Sequence, residues 1–303
     1  MESLMKNVKV WLLTVMVMIG WLAGYPTANV SSRYTDEELA AYTQAARDAG
    51  PGMIIAMGGG FDYEDTFRPL IDKCLSHVNR ETPHMLFIPT GHFDELEETE
   101  EIVEWFANAG CRTDILLPSK TTGQEVKEKI AWADIIYETG GNLKFVADTW
   151  REKGVMDAVK AAFARGAVLM GVSTGAMCWA EKGWDNFGEP VFRVTDEFPF
   201  LGEEPKYEFC DATGLLPFCL CPHFDNVAWR IYGFEAVRQD FPSLCIENGA
   251  AVVFCDGAYE VIADVKTPRR TAYLFCPEKN IVMLDVAKNA ALVSAVDGER
   301  RGG

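Results

Sequence analysis

Basic residues are scarce in this chain: 28 Lys and Arg stand against 45 Asp and Glu, for a net charge of −17. A surface of that sign repels phosphate backbones and anionic lipid, so nucleic acid is not an expected partner. The stretch 94–104 alone holds seven carboxylates and no Lys or Arg, the pattern of a solvated helix face. Histidine is scarcer still. Chemistry that needs an imidazole must choose among His77, His84, His92 and His223. Paired metal-ligand spacings are missing too: Cys219-x-Cys221-x-His223 has no second ligand pair at zinc-site distance, so no metal or other cofactor is expected. The nine cysteines are odd in number, and many sit in apolar segments (Cys74, Cys178, Cys245, Cys255). That excludes a disulfide scaffold and favours a reducing, cytoplasmic location.

The amino terminus argues for the other location. Lys6 and Lys9 precede an apolar run from Val10 to Ala23, then Gly24, Tyr25 and Pro26, which is the layout of a signal peptide. At about fourteen residues the run is too short to span a bilayer comfortably. Residues 1–30 thus read as a signal-like or anchor segment, with an exported or membrane-associated protein as the alternative. Residues 31–51 read as a leader helix, with Thr35 as its cap and Gly50-Pro51 as its stop. The span 52–290 reads as one α/β domain and 291–303 as a tail, with no repeat or low-complexity tract after residue 52.

Within that domain strands and helices alternate. Gly52–Gly60 predicts a buried strand running into three glycines, and Phe67, Leu70, Ile71, Cys74, Leu75 and Val78 mark one helix face. Strands follow at 85–89, 113–117 and 134–137, separated by helices at 94–109 (Leu96, Val103 and Phe106 inward) and 124–132. A single helix is expected over 149–165. After Leu215 come short strands at 218–221, 244–246, 251–254, 259–263, 272–275 and 281–284, with one helix over 225–241. The pattern predicts a doubly wound, mostly parallel sheet flanked by helices, with a small antiparallel carboxyl-terminal layer.

The chemistry concentrates at 167–179, AVLMGVSTGAMCW. A strand, then Gly171-x-Ser173-x-Gly175, then a helix over 174–180 is the layout of a nucleophile elbow. A tight turn there forces the serine into strained backbone and presents its hydroxyl, while the Thr174 amide at the helix start faces the same spot. Three glycine-bearing strand ends converge: Gly58-Gly59-Gly60, Gly140-Gly141 and the serine turn. For a base, His223 is favoured over His92, because Cys221-Pro222-His223-Phe224-Asp225 ends an apolar strand and starts a helix. The fifty residues from Ser173 to His223 are too few for an ordinary α/β-hydrolase.

Strand-Gly-Gly-Gly, Gly140-Gly141-Asn142, Gly171-Val172-Ser173-Thr174-Gly175-Ala176 and Pro222-His223-Phe224, in this order over roughly residues 52–263, resemble the peptidase E family of serine peptidases. That family has cyanophycinase among its relatives and shares its fold with class I glutamine amidotransferases. The resemblance implies a Ser173 nucleophile, a His223 base, an oxyanion hole from the amides of Gly141 and Thr174, and no cofactor. The expected partner is a small peptide substrate, and a homodimer is compatible with the reading. Three departures stand out. Thr174 replaces the usual alanine. The acid is one of Asp185, favoured, Glu197 or Glu247. No Gly-Glu-Thr-Arg stretch follows His223, so the family's aspartate-binding arginine is missing, with Arg230 and Arg238 the nearest substitutes. The contrasting reading is a binding or sensing module on the same fold. A glutamine amidotransferase would need cysteine where Ser173 stands.

Overall fold

The structure, a computed structural model, describes residues 50–96, 100–186, 207–275 and 281–284. The signal-like segment, all but the last two residues of the leader helix, Glu197 and the tail fall outside the described residues. Five strands, β1 (Met53–Met57), β2 (His84–Ile88), β3 (Arg112–Ile115), β4 (Ile135–Glu138) and β5 (Val168–Val172), form the parallel body of the first sheet. Their order in space is β1-β5-β4-β2-β3, so β1 and β5 are neighbours although the whole first half of the domain separates them in sequence. β1 and β4 are buried along their full length, which is why they read as unbroken apolar runs.

Helices α1 (Glu64–His77), α2 (Glu100–Asn108), α3 (Gly123–Trp132), α4 (Leu143–Lys153) and α5 (Val155–Ala164) make the crossovers. Phe67, Leu70, Ile71 and Cys74 of α1 pack with Ile55, Met57, Phe87, Phe106 and Tyr137 in one buried cluster. Each such side chain contributes roughly 1.5–3 kcal/mol by leaving water. The parallel sheet flanked by helices therefore follows the expected alternation.

A short helix, α6 (Thr174–Met177), follows β5 and leads into a second, six-stranded sheet. Its members are β6 (Ala180–Asp185), β7 (Glu208–Asp211), β8 (Leu216–Cys221) and β9 (Ser243–Ile246), with α7 (Val227–Arg230) and α8 (Tyr232–Ala236) between β8 and β9. The chain then returns to the first sheet, where β10 (Ala250–Cys255) lies antiparallel to β1 and β11 (Ala258–Ala263) antiparallel to β10. β12 (Ala272–Phe275) and β13 (Ile281–Leu284) complete the second sheet. That sheet is not the small antiparallel layer expected: β8 pairs in parallel with both β6 and β9.

Four other expectations are corrected. The helix over 149–165 is two helices, because Gly154 takes a left-handed conformation (φ 74°) that caps α4 and cannot continue it. The helix after Ser173 stops at Met177, and the chain from Ala180 is recruited into β6. Leu96 is 47% exposed rather than inward, since Phe93 and Asp94 both adopt positive φ and no helix can run through them. The helix over 225–241 breaks into α7 and α8, with tight i→i+3 bonds from Trp229 to Asn226 and from Arg238 to Glu235.

Trp150 on α4 is fully buried against Trp179, and its indole N–H donates to Thr90 Oγ1 at 3.1 Å. Thr90→Val keeps the shape but leaves that donor unpaired, so denaturant unfolding should show a loss of about 1–3 kcal/mol with an unchanged slope.

Candidate active site

Ser173 sits at the end of β5 with φ 56° and ψ −115°, a backbone conformation that a residue other than glycine adopts only under constraint. The constraint comes from both sides. A Cβ on Gly175 would collide with the Glu138 carbonyl, and one on Gly171 with Gly175 and the same carbonyl, so α6 presses directly on the end of β4. The Ser173 amide donates to Met57 O at 3.0 Å, which pins the turn to β1. The two flanking glycines thus make the turn possible.

His223 lies just past β8, itself at positive φ (52°), and its Nε2 is 2.8 Å from Ser173 Oγ. The other ring nitrogen, Nδ1, meets Asn248 Oδ1 at 2.6 Å, beyond the end of β9. The Asn248 Nδ2 and main-chain N–H both donate to Asp225 Oδ1, at 2.9 and 2.7 Å. A carboxylate can only accept, so Asp225 fixes which way the Asn248 amide points: its oxygen toward the ring, its nitrogen away. Nδ1 therefore carries the proton and Nε2 is free to take one from Ser173. Arg270 pairs with the other Asp225 oxygen at 2.9 Å, and Trp229 packs 5.4 Å from the imidazole, centre to centre.

The Gly58–Gly60 run explains itself here. The His223 amide donates to Gly58 O and the Gly249 amide to Gly59 O, while a Cβ on Gly59 would meet the imidazole at 2.7 Å and collide with Asn248 Oδ1. At the end of β4, a Cβ on Gly140 would lie 3.3 Å from Ser173 Cβ, so the Gly140-Gly141 stretch runs alongside the serine. The three glycine-bearing strand ends do converge on one point, and His223 rather than His92 faces the serine. His92 instead packs over Gly141. His84 stacks on Trp132, and His77 lies 3.7 Å from Cys255.

The profile of peptidase family S51 matches residues 53–262, more than two thirds of the chain. The chain belongs to peptidase family S51. Membership makes it a peptidase of the serine type. It is 28% identical over 207 residues to an uncharacterized peptidase, YgaJ, of Bacillus subtilis, covering 66% of this chain and 82% of that one. It is 33% identical over 117 residues to peptidase E of Citrobacter koseri, covering 39% of this chain and 45% of that one. A peptidase from an acI-B1 actinobacterium shares the fold, with a TM-score of 0.53 at 17% identity, over 77% of this chain and 93% of that one.

Within this S51 fold two of the three expected acids stand elsewhere. Asp185, 1% exposed, accepts the Leu143 amide at 2.8 Å on one oxygen and the Asn186 amide on the other, so it secures the start of α4 rather than the imidazole. Glu247, 8% exposed, accepts the Thr271 amide and the Tyr273 hydroxyl. Glu197 lies outside the described residues. The contact expected of an acid is made by Asn248, which was not anticipated; its position just past an apolar strand was the available signal. Arg238 pairs with Glu235 at the surface, and Arg230 is partly buried in α7. Cys219 and Cys221 join an aromatic cluster with Trp184, Trp229 and Tyr232. No group of three ligating side chains that could hold a metal occurs among the described residues.

Two shifted groups lie at the serine turn. Burial lowers the His223 pKa below its usual 6.5, against the Asn248 bond and the Asp225 charge, which raise it. Burial drives Glu138 well above the usual carboxylate range, although its Oε1 accepts the Gly91 amide at 2.7 Å. A cavity of about 1250 Å³ opens beside the serine turn, walled by Gly60, Phe61, Thr139, Gly140 and Val172 among others. Its described lining includes the acidic residues Asp62, Glu95 and Glu101, and the Lys120 ammonium donates to the carbonyl of the buried Asp94 at 2.8 Å.

Gly59→Ala should push the imidazole away from Asn248. Reaction of Ser173 with a fluorophosphonate, which requires a base-activated serine, should slow about a hundredfold while circular dichroism stays unchanged.

Proposed function

We propose that this S51 member is a serine hydrolase that cleaves short peptides or related amides through an acyl-enzyme. The observation that carries the reading is the 2.8 Å approach of His223 Nε2 to the hydroxyl of a serine held in strained backbone. Ser173 Oγ attacks the scissile carbonyl carbon as its proton passes to His223 Nε2. The resulting oxyanion is held by the amides of Gly141 and Thr174; neither has an acceptor among the described hydrogen bonds, and Thr174 opens a helix. His223 then gives the proton to the leaving amine, the acyl-enzyme forms, and water activated by the same imidazole releases the acid.

Asn248 replaces the expected acid as the group that holds the ring and its tautomer. Asp225 supplies the negative charge one residue further out. A neutral amide next to a buried imidazole suits the lowered pKa of His223, because the free base is the form that must be present before attack. The acidic cavity wall opposes a substrate that carries an aspartate side chain.

Fluorophosphonate labelling of the purified chain with peptide mapping should modify Ser173 alone, and Ser173→Ala and His223→Ala should abolish labelling without unfolding. A folded chain that does not label would overturn the hydrolase reading in favour of a binding module. The rate should fall with pH as His223 becomes protonated, with its midpoint below 6.5. Asn248→Ala should cost about a hundredfold or more through loss of the tautomer. Asp225→Asn should move the midpoint to still lower pH, because it removes a charge that favours the imidazolium. In a dipeptide panel, Asp-X should turn over more slowly than Ala-X.

A further inference from the structure

The side chain of Thr174 has a partner that an alanine could not have. Its hydroxyl donates to the Gly141 carbonyl oxygen at 2.7 Å, and the residue is fully buried. On the other side of the same peptide group, the Asn142 amide donates to Gly91 O at 2.9 Å. The 141–142 peptide is thereby held at both its polar ends. Gly141 itself adopts φ 126° and has no side chain to anchor it. With that peptide fixed, the adjoining 140–141 peptide, which carries the Gly141 N–H, has less freedom to turn; without the hydroxyl, the carbonyl end loses its one hold among the described hydrogen bonds. No other donor to Gly141 O exists among the described hydrogen bonds.

We propose that the Thr174 hydroxyl is a positioning residue for the oxyanion hole: by bonding Gly141 O it ties the loop that carries one oxyanion donor to the residue that carries the other. The inference rests on the hydrolase reading above and deepens it. Residue 174 then sets both donors, one through its own amide and one through its side chain. A preorganised pair of donors needs no rearrangement as charge develops, which is the condition under which such donors contribute most. The bond also makes the Thr-for-Ala departure consequential rather than neutral.

The test uses the full chain and the second-order rate of fluorophosphonate labelling for wild type, Thr174→Ala, Thr174→Val and Thr174→Ser. Loss of one oxyanion donor altogether costs about 10²–10³ in rate, so a loosened one should cost about tenfold. Ala and Val should both show that loss, and Ser, which keeps the hydroxyl, should restore the rate. The pH midpoint should be the same in all four, since the clamp acts on the oxyanion and not on the base. Thermal melts identify any variant that fails to fold; Ser against Val, which differ in hydroxyl and methyl content, then still decides the matter through whichever folds. An Ala rate equal to wild type, or a Ser rate as low as Ala, would overturn the proposal while leaving the hydrolase reading intact. A wild-type chain that does not label defeats the hydrolase reading first.

Discussion

Main chain packed on main chain, with no side chain between, is the constraint on which the site depends. Gly175 rests on the carbonyl of Glu138, Gly91 on that of Gly140, Gly141 on that of Gly91, and Gly58 on those of Ile246 and Glu247. A methyl group at any of these positions would meet another loop's backbone at a distance that real side chains do not tolerate. The loops after β1, β2, β4 and β5 can therefore close to the spacing that brings Ser173, the His223 imidazole and the Gly140-Gly141 stretch together. Glycine is used here for what it lacks, and the entropic cost is met by hydrogen bonds such as Ser173 N to Met57 O and Gly249 N to Gly59 O.

The second constraint is that the serine and histidine belong to different sheets. β5 delivers Ser173 from the parallel sheet, whereas β8 and β9 deliver His223 and Asn248 from the other. The link between them is β10, which follows Asn248 directly and pairs with β1, carrying the chain back beside the Gly58–Gly60 turn. An aromatic group of Trp184, Tyr207, Trp229 and Tyr232 packs behind the histidine, with Trp184 and Tyr207 stacked at 3.8 Å. The imidazole is thus backed by rigid, apolar surface and by fixed backbone, and it has few ways to turn.

The serine and the histidine were legible in the sequence because glycine and strand ends announce them: Gly171-x-Ser173-x-Gly175 can only be a tight turn, and Pro222-His223 ends an apolar run. Strand positions after Leu215 were legible for the same reason, as short apolar runs between turn residues. The third partner was not. The family resemblance implies a carboxylate there, which leads to Asp185, a residue the fold spends on the first amide of α4. Asn248 carries no charge and no spacing rule, and the carboxylate behind it, Asp225, lies 23 residues away and acts only through it. The helix breaks were hidden similarly. At Gly154 the apolar periodicity continues smoothly across the break, and only the backbone torsion shows that the helix has ended.

Glu138 ends β4 directly beneath the elbow, its main-chain oxygen against Gly171 and Gly175 and its carboxyl group against Gly91. An ionised carboxylate there would set a fixed negative potential at the base of the Ser173 turn. Burial disfavours that charge and pushes the group toward the neutral acid, while its Oε1 accepts the Gly91 amide. The strand end is thus a polar anchor whose charge burial opposes, in a protein that carries a large excess of negative charge elsewhere.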